Sequence, residues 1–491
     1  MGNYKSLAGK DAPDVVARFI GLKEYSQVKK IIIIGGGISG LTTAYWLRKY
    51  GLDVTILEKE KRPGGSIRTE KENGYLIECG PNSTLDVFQE VDDLCTELSI
   101  IEQKIIADRT NKNRYVVRDG RLRLLPTSPA QFFTTDLWTL RGKLRLMGEP
   151  FIRQYREASE ESIASFVTRR TGREFLDYAI DPFVTGVYAG NPECLSLKSC
   201  FPKMYALEQE YGGLVRGTLL GRKKQEGPKR KMRLISFRDG LQTLPDAIAG
   251  VLGDRFIGEC SVISVRSTSE GFEIMAERGG GQETFRANIV VIATPAWVTA
   301  RIMHPLSEPA ATNLMQIEYV PAVIIYTGMD RREIRHPLDG FGFLIPSKES
   351  ISRGYNILGA IWSSSIFPGR APDGKTAFTN ILGGAKKTDI LEYNDNELVE
   401  MTLRDLRTLL HIETKPEFVR VIRHSRAIPQ YNIGHQGRIH SIEKGMQDIP
   451  GLYLAGNYLN GVSVGHCVSE ATKLAAKIRS SGLHGRHSSG G

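Results

Sequence analysis

The sequence predicts a chain of mixed α/β and α+β class, in which a parallel-sheet domain is assembled from distant segments with other domains inserted between them. Three observations predict this. A glycine-rich turn at 35–40 sits between two strand-like runs, 30–34 and 54–58. Two further aliphatic runs, 289–293 and 452–455, come far later in the chain. Between them, 132–182 is patterned for helices, and 306–415 alternates strand-like runs with a helical stretch at 395–410.

The chain has 491 residues, enough for two or three domains with substantial cores. Hydrophobic residues make up 41% and charged residues 24%, the balance of an ordinary globular protein. No apolar run reaches the roughly 18 residues of a membrane-spanning helix. Residues 1–29 lack the apolar core of a signal peptide. They begin Met1-Gly2-Asn3-Tyr4-Lys5-Ser6, a chance fit to the short myristoylation pattern. The six cysteines are scattered with no CxxC, and the nine histidines show no HExxH. That predicts neither a disulfide framework nor a metal site, and fits a reducing compartment.

The net charge is +10, and the densest basic run spans 222–233. Such a run reads first as a solvated loop, and second as a contact for lipid headgroups. No nucleic-acid-binding motif accompanies it, so nucleic acid is not an expected partner.

The glycine turn reads Gly35-Gly36-Gly37-Ile38-Ser39-Gly40, a GxGxxG between a strand and a helix. Gly35 permits the tight turn, Gly37 lets backbone approach a pyrophosphate, and Gly40 lets the helix lie close on the strand. Ile38 and Ser39 open that helix, whose free N–H groups favour phosphate. Ile38, Leu41 and Tyr45 mark its buried face, and Gly51 is placed to end it. Glu58, with Lys59 beside it, closes the next strand 18 residues beyond Gly40. An acid there accepts hydrogen bonds from ribose hydroxyls. Strand, helix and acid in register predict a Rossmann-like dinucleotide unit.

Two other segments direct the choice of dinucleotide to FAD. Gly64-Gly65 follows Glu58 closely and lets a second backbone segment approach the cofactor. Much later, 451–457 reads as a strand ending in Gly456-Asn457, followed by Gly461-Val462-Ser463-Val464-Gly465 and a helix-patterned run. That second helix N-terminus is suited to negative charge on a reduced flavin ring. There is no second GxGxxG, so electrons are expected to enter from the substrate and leave to oxygen or another small acceptor.

With these residues in place, the chain resembles the protoporphyrinogen/coproporphyrinogen oxidase family of the flavin amine oxidase superfamily. Besides the glycine loop, Gly64-Gly65 and Gly456-Asn457, the resemblance rests on 125–129, 141–144, 181–190, 240–245, 363–372 and Pro429-Gln430-Tyr431. It implies a discontinuous FAD domain (30–113, 229–305 and 416–483), a helical membrane-associating domain (114–228) and a substrate-binding domain (306–415). Residues 1–29 and 484–491 are peripheral extensions. It implies FAD-dependent oxidation of a porphyrinogen to a porphyrin with oxygen as acceptor, protoporphyrinogen IX first and coproporphyrinogen III as the alternative. It also implies a place on the inner face of the cell membrane. By family position Arg114 pairs with a propionate, Leu344 and Ile361 press on the macrocycle, Gly186 allows its close approach, and Val262 contacts adenine through its backbone. Ile381 stands where some relatives carry Phe. No catalytic acid or base is expected, because the reaction needs positioning and a cationic anchor rather than a nucleophile.

An FAD amine oxidase or a carotenoid desaturase shares the glycine loop but does not explain the 363–372 block. A non-enzymatic flavin or porphyrin carrier is a third reading. For the membrane surface, 132–138 beside Arg141, Lys143 and Arg145 reads equally as an interfacial helix or as packed core.

Overall fold

The structure, a computed structural model, describes residues 29–108, 113–155, 159–221 and 232–483. The N-terminal Met1–Ser6 pattern, the 484–491 tail and all but the last two residues of the basic run lie outside the described residues.

The strand β1 (Lys30–Ile34) is the centre of a five-stranded sheet. Ile31 and Ile33 enter one core and Ile32 and Ile34 another. A strand covered on both faces needs an apolar residue at every position, and each fully buried isoleucine stabilises by about 1.5–3 kcal/mol. One neighbour of β1 is β2 (Asp53–Leu57); the other is Ile289–Ile292, itself flanked by Leu452–Leu454, and all these pairings are parallel. The sheet is therefore built from distant segments, as the scattered aliphatic runs predict.

Helix α1 (Ile38–Lys49) crosses between β1 and β2. Ile38, Leu41 and Tyr45 are buried as expected, but so are Thr42, Thr43 and Leu47. The one-sided stripe became a nearly all-round burial because Thr243–Leu252 and Val464–Leu483 pack against the same helix. Thr43 stays compatible with burial by donating its hydroxyl to the Ser39 carbonyl at 2.8 Å.

The second sheet has seven strands, in the order Phe418–Pro429, Tyr319–Asp330, Lys375–Gly383, Ile357–Ile361, Gly340–Leu344, Asn113–Arg118 and Arg121–Leu124. The expected boundaries at 113/114 and 415/416 fall at or next to strands of this sheet. Residues 113–124 pair with the 340–344 strand rather than joining the helices that follow them, and 418–429 pairs with 319–330. The expected boundary at 305/306 falls just before a helix of the nucleotide-domain core. Glu308–Met315 buries Ala310, Ala311 and Leu314 in the nucleotide-domain core beside Ile442. Such pairings between remote segments leave no local periodicity to read.

One face of this sheet is covered by Asp395–Leu410, the helix expected at those residues. Its start is fixed by a reciprocal capping box between Asn394 and Glu397.

The helical region, with Ile163–Thr171 at its core, is organised around Arg170. That fully buried guanidinium meets Glu149 at 3.0 Å, Glu208 at 2.9 Å and the Gly212 carbonyl at 2.6 Å. Glu149 in turn accepts the Leu214 and Val215 amides at 2.8 and 3.0 Å.

The 132–138 segment divides between the two readings its sequence left open. Leu137 and Trp138 are buried, with the indole stacked on Phe175 at 5.5 Å, whereas Phe133 is exposed. The Lys143 ammonium turns inward to the Phe133 and Thr135 carbonyls, and Arg145 to those of Arg169 and Arg170. Only Arg141 of the three cations remains free for a surface role. Among the described residues, no helix is long and apolar enough to cross a membrane.

Candidate active site

The glycine loop forms a cradle whose shape each glycine explains. Gly35 has φ +109° and its amide donates to the Leu57 carbonyl at 2.9 Å; a Cβ there would lie 2.8 Å from the Ala293 carbonyl oxygen. A Cβ on Gly40 would fall 2.1 Å from the Gly35 oxygen, so α1 lies on β1 only because Gly40 has none. Gly37 faces open space, with nothing within 4 Å of the position a Cβ would take. It caps α1 without a side-chain bond, and the first turn carries no acid. The amides of Ile38, Ser39 and Gly40 are thus left to an anion from outside the helix.

Glu58 is buried just past β2 and accepts the Gly36 amide at 2.5 Å and the Glu60 amide at 2.9 Å. These bonds aim the carboxylate and leave each oxygen a further lone pair for a ribose hydroxyl. Lys59 is exposed and forms only a surface pair with Glu60 at 3.5 Å. Val262 is half-buried at a bulge in the Cys260–Thr268 strand, and that strand joins the cradle through the Cys260 amide on the Glu58 carbonyl at 2.8 Å.

The Gly64-Gly65 segment comes onto the loop directly. The Gly64 amide donates to the Gly36 carbonyl at 2.8 Å, and a Cβ on Gly65 would meet Gly37 Cα at 3.2 Å. Arg62 clamps this turn from outside, donating to the carbonyls of Gly65 and Ile67 at 2.8 and 2.9 Å.

The C-terminal segment arrives alongside α1. Val464 begins the 464–483 helix, which packs along α1, with Val464, Cys467 and Val468 in the same core as Ile38 and Leu41. Val462 packs on the helical region's core. The tie that holds this segment is a residue the sequence marks without assigning it a role. The Tyr431 hydroxyl donates to the Asn457 carbonyl at 2.5 Å and accepts the Gly461 amide at 2.7 Å. Its ring stacks on His435 at 4.2 Å, and burial pushes that imidazole down to about 4, keeping it neutral. Gly456, at φ +155°, turns just before the bonded stretch.

The substrate residues expected from family position fall on one sheet face. Leu344 stands opposite Gly359, Gly359 opposite Ile381, and Ile361 lies two residues from Gly359. Residues in cross-strand register share a face. The same face carries Val116, opposite Leu344, and Arg114 two residues before it. It is the face that Asp395–Leu410 leaves uncovered, since Phe343, Ala360 and Leu382 point into that helix's core instead. Leu344, Ile361 and Ile381 are each half-exposed. Gly186, on the helix Asp181–Tyr188, comes against this wall; a Cβ there would lie 2.9 Å from Leu344 Cδ2. The Arg114 guanidinium lies 5.2 Å over the Phe341 ring, and no carboxylate among the described residues pairs with it. Arg114 is solvent-accessible, yet surrounding protein strips enough water to lower its pKa.

A family profile of the flavin-containing amine oxidoreductases matches residues 38–479. The chain belongs to that family. The dinucleotide of this flavin amine oxidoreductase is FAD, and the open helix start, the paired glycines and Glu58 fit it. The chain is 37% identical over 477 residues to the chloroplastic protoporphyrinogen oxidase of Oryza sativa subsp. japonica, covering 91% of this chain and 87% of that protein. It is 31% identical to the mitochondrial protoporphyrinogen oxidase of Nicotiana tabacum, covering 93% and 95%. It is 28% identical to the coproporphyrinogen III oxidase of Bacillus subtilis, covering 90% and 96%. A crystal structure from Exiguobacterium sp. 255-15 superposes with a TM-score of 0.76 at 23% identity, over 92% of this chain and 99% of that one. Reduced UDP-galactopyranose mutase gives 0.71 at 17% identity, over 92% and 96%. These two likenesses establish the mixed α/β fold of the family.

Proposed function

We propose that this chain oxidises a porphyrinogen to a porphyrin, with protoporphyrinogen IX as the first substrate and oxygen as the final acceptor. The observation that carries the reading is the uncovered sheet face. It is a broad aliphatic wall of Leu344, Ile361 and Ile381, with one guanidinium at its edge lacking a described carboxylate partner. A flat macrocycle with acidic side chains fits such a wall. Near full-length similarity to porphyrinogen oxidases supports the same reading.

In this reading Gly37, Ile38, Ser39 and Gly40 hold the pyrophosphate, Glu58 the ribose, and Val262 the adenine. Gly64, Gly65, Gly456, Asn457, Val462 and Val464 border the flavin. Bound FAD supplies the hydride acceptor. Arg114 takes a propionate in its planar fork, while the aliphatic wall excludes water and fixes the ring plane. Gly186 leaves room opposite Leu344.

Anaerobic mixing with protoporphyrinogen IX or coproporphyrinogen III, followed by flavin absorbance, tests the function. Rapid bleaching by one of them is expected, and the faster one names the substrate. If neither bleaches the flavin, the reading fails. Arg114→Ala is expected to raise KM about 10–100-fold, the worth of a charge-assisted hydrogen bond. Its FAD content should stay at one per chain. An unchanged KM would remove Arg114 from the substrate site.

The reading extends to a membrane surface. Leu140, Leu144 and Met147 recur at helical spacing on Leu140–Met147, and with Phe133 and Phe151 they form an exposed apolar stripe; Leu140 is 73% and Phe151 84% exposed. Such a stripe inserts at the level of lipid headgroups. With Lys143 and Arg145 turned inward, apolar insertion outweighs charge in this surface. Co-sedimentation with phosphatidylglycerol-containing vesicles is expected, and Leu140→Glu with Leu144→Glu should weaken it more than about tenfold. Equal binding by the double variant would mean that another surface holds the lipid.

A further inference from the structure

Glu78 ends the strand Tyr75–Glu78 and is buried. The Thr69 hydroxyl donates to it at 2.7 Å and the Leu241 amide at 2.9 Å, while the buried Arg370 guanidinium lies 3.8 Å away. Leu241 and Arg370 belong to the 240–245 and 363–372 blocks, which the substrate and cofactor sites leave largely unused. Arg370 is fixed in turn by the Ser236 hydroxyl at 2.8 Å and the Phe237 carbonyl at 3.0 Å.

Glu78 also borders a small cavity with room for about one water. Arg370, Tyr326, Ser363 and Asn82 also line it. Ser363 shares a hydrogen bond with Thr379 at 2.8 Å, and Thr379 donates to Asn82 at 3.3 Å. Thr379 is in register with Ile361 and two residues from Ile381, so it sits on the substrate face of the sheet. Hydroxyls therefore run from that face to the cavity, which the Glu78 carboxylate also lines.

We propose that Thr379, Ser363 and Glu78 form a proton path from the substrate face to a buried acceptor carboxylate. The inference rests on the porphyrinogen reading. In three two-electron oxidations the macrocycle loses four C–H and two N–H hydrogens. Three C–H pairs leave as hydride to the flavin. Three protons leave, two from N–H and one from the last C–H bond. Where an N–H proton leaves, its electron pair stays to form the new C=N bond. Each proton passes through the hydroxyls and a water to the Glu78 carboxylate, and then outward past Thr69, which is half-buried. Glu78 thus acts through other groups and does not touch the macrocycle.

The environment suits a carboxylate that exchanges protons near neutrality. Burial pushes Glu78 up to about 7, against the opposing pull of Thr69, Leu241 and Arg370. Of the other titratable groups nearby, the Tyr326 phenol lines the same cavity and is raised by burial, while Tyr75 and Cys79 pack with Ile77 and Tyr326 in one core. Beyond them, Asp239 pairs with Lys71, Glu70 with Arg68, and His424 bonds the Cys79 carbonyl. A carboxylate accepts only when ionised, so the rate should rise with pH through about 7.

The test is single-turnover flavin reduction by protoporphyrinogen IX in the FAD-loaded enzyme, across pH, in H₂O and D₂O. The parent should show that rise and a solvent isotope effect. Glu78→Gln should flatten the pH profile. Ser363→Ala should slow reduction at least about tenfold and change the isotope effect. If Glu78→Gln does not fold, because Arg370 loses its partner, Ser363→Ala and Thr69→Val carry the test. Parent-like rates and profiles in the folded variants overturn the path. A slower rate with unchanged profile and isotope effect also overturns it, because it assigns these residues a structural role alone. Failure of the parent to reduce its flavin overturns the porphyrinogen reading instead.

Discussion

Gly40→Val is expected to yield protein without FAD. A Cβ at residue 40 would lie 2.1 Å from the Gly35 carbonyl oxygen and 3.2 Å from Ala293 Cβ. Neither contact is the free end of a flexible chain, so α1 must move off β1. That movement swings the open N-terminal amides away from the pyrophosphate and parts α1 from the 464–483 helix beside it. Overpacking of this kind costs about 3 kcal/mol or more. Purified Gly40→Val should lack flavin absorbance and unfold at lower temperature than the parent stripped of FAD. Stoichiometric FAD in the variant would contradict the cradle described here.

Arg170→Met is expected to destabilise the helical region without emptying the FAD site. Arg170 lies in the interior with Glu149 and Glu208 against it. Methionine fills much of the volume but leaves both carboxylates short of their cation. Removing one member of a buried charge cluster costs about 3–5 kcal/mol. Arg169, also on Glu208, offsets part of that loss for one acid only. The midpoint of thermal unfolding should fall by about 10 °C. Proteolysis should begin among the helices, while flavin content stays at the parent level because the network lies away from the cradle. A midpoint within about 1 °C of the parent would mean that the cluster is not structural.

The sequence is most legible where structure is local. The strand, glycine turn, helix and acid from Lys30 to Glu58 could be read directly, because each glycine answers to a neighbour a few residues away. The 395–410 helix was legible for the same reason: its apolar period and the Asn394–Glu397 box are local signals. What could not be read depends on remote partners. Nothing within 113–124 announces that it will pair with 340–344. Nothing in Trp138 distinguishes a ring stacked on Phe175 from one turned to lipid. Lys143 and Arg145 look like surface cations until backbone carbonyls from other helices come within their reach. Among candidate site residues, those on the glycine loop could be argued from chemistry. Arg114, Leu344 and Ile361 needed the family pattern, since their common face exists only once four strands are in register. Tyr431 left no signal beyond the block that holds it, and Glu78 left none. Their roles come from hydrogen bonds to segments 9 to 163 residues away.

The interleaving of segments also sets an order of events during synthesis. β1 emerges from the ribosome early, but its partner at 289–292 and the last strand at 452–454 follow hundreds of residues later. The helix beside α1 begins only at Val464. A nascent chain several hundred residues long therefore carries an aliphatic β1 paired on one edge by β2 alone, its other edge open. Pairings this remote close slowly and expose aggregation-prone edges while they wait. Cofactor capture becomes one of the last steps, since the last strand and the helix beside α1 come at the end of the chain.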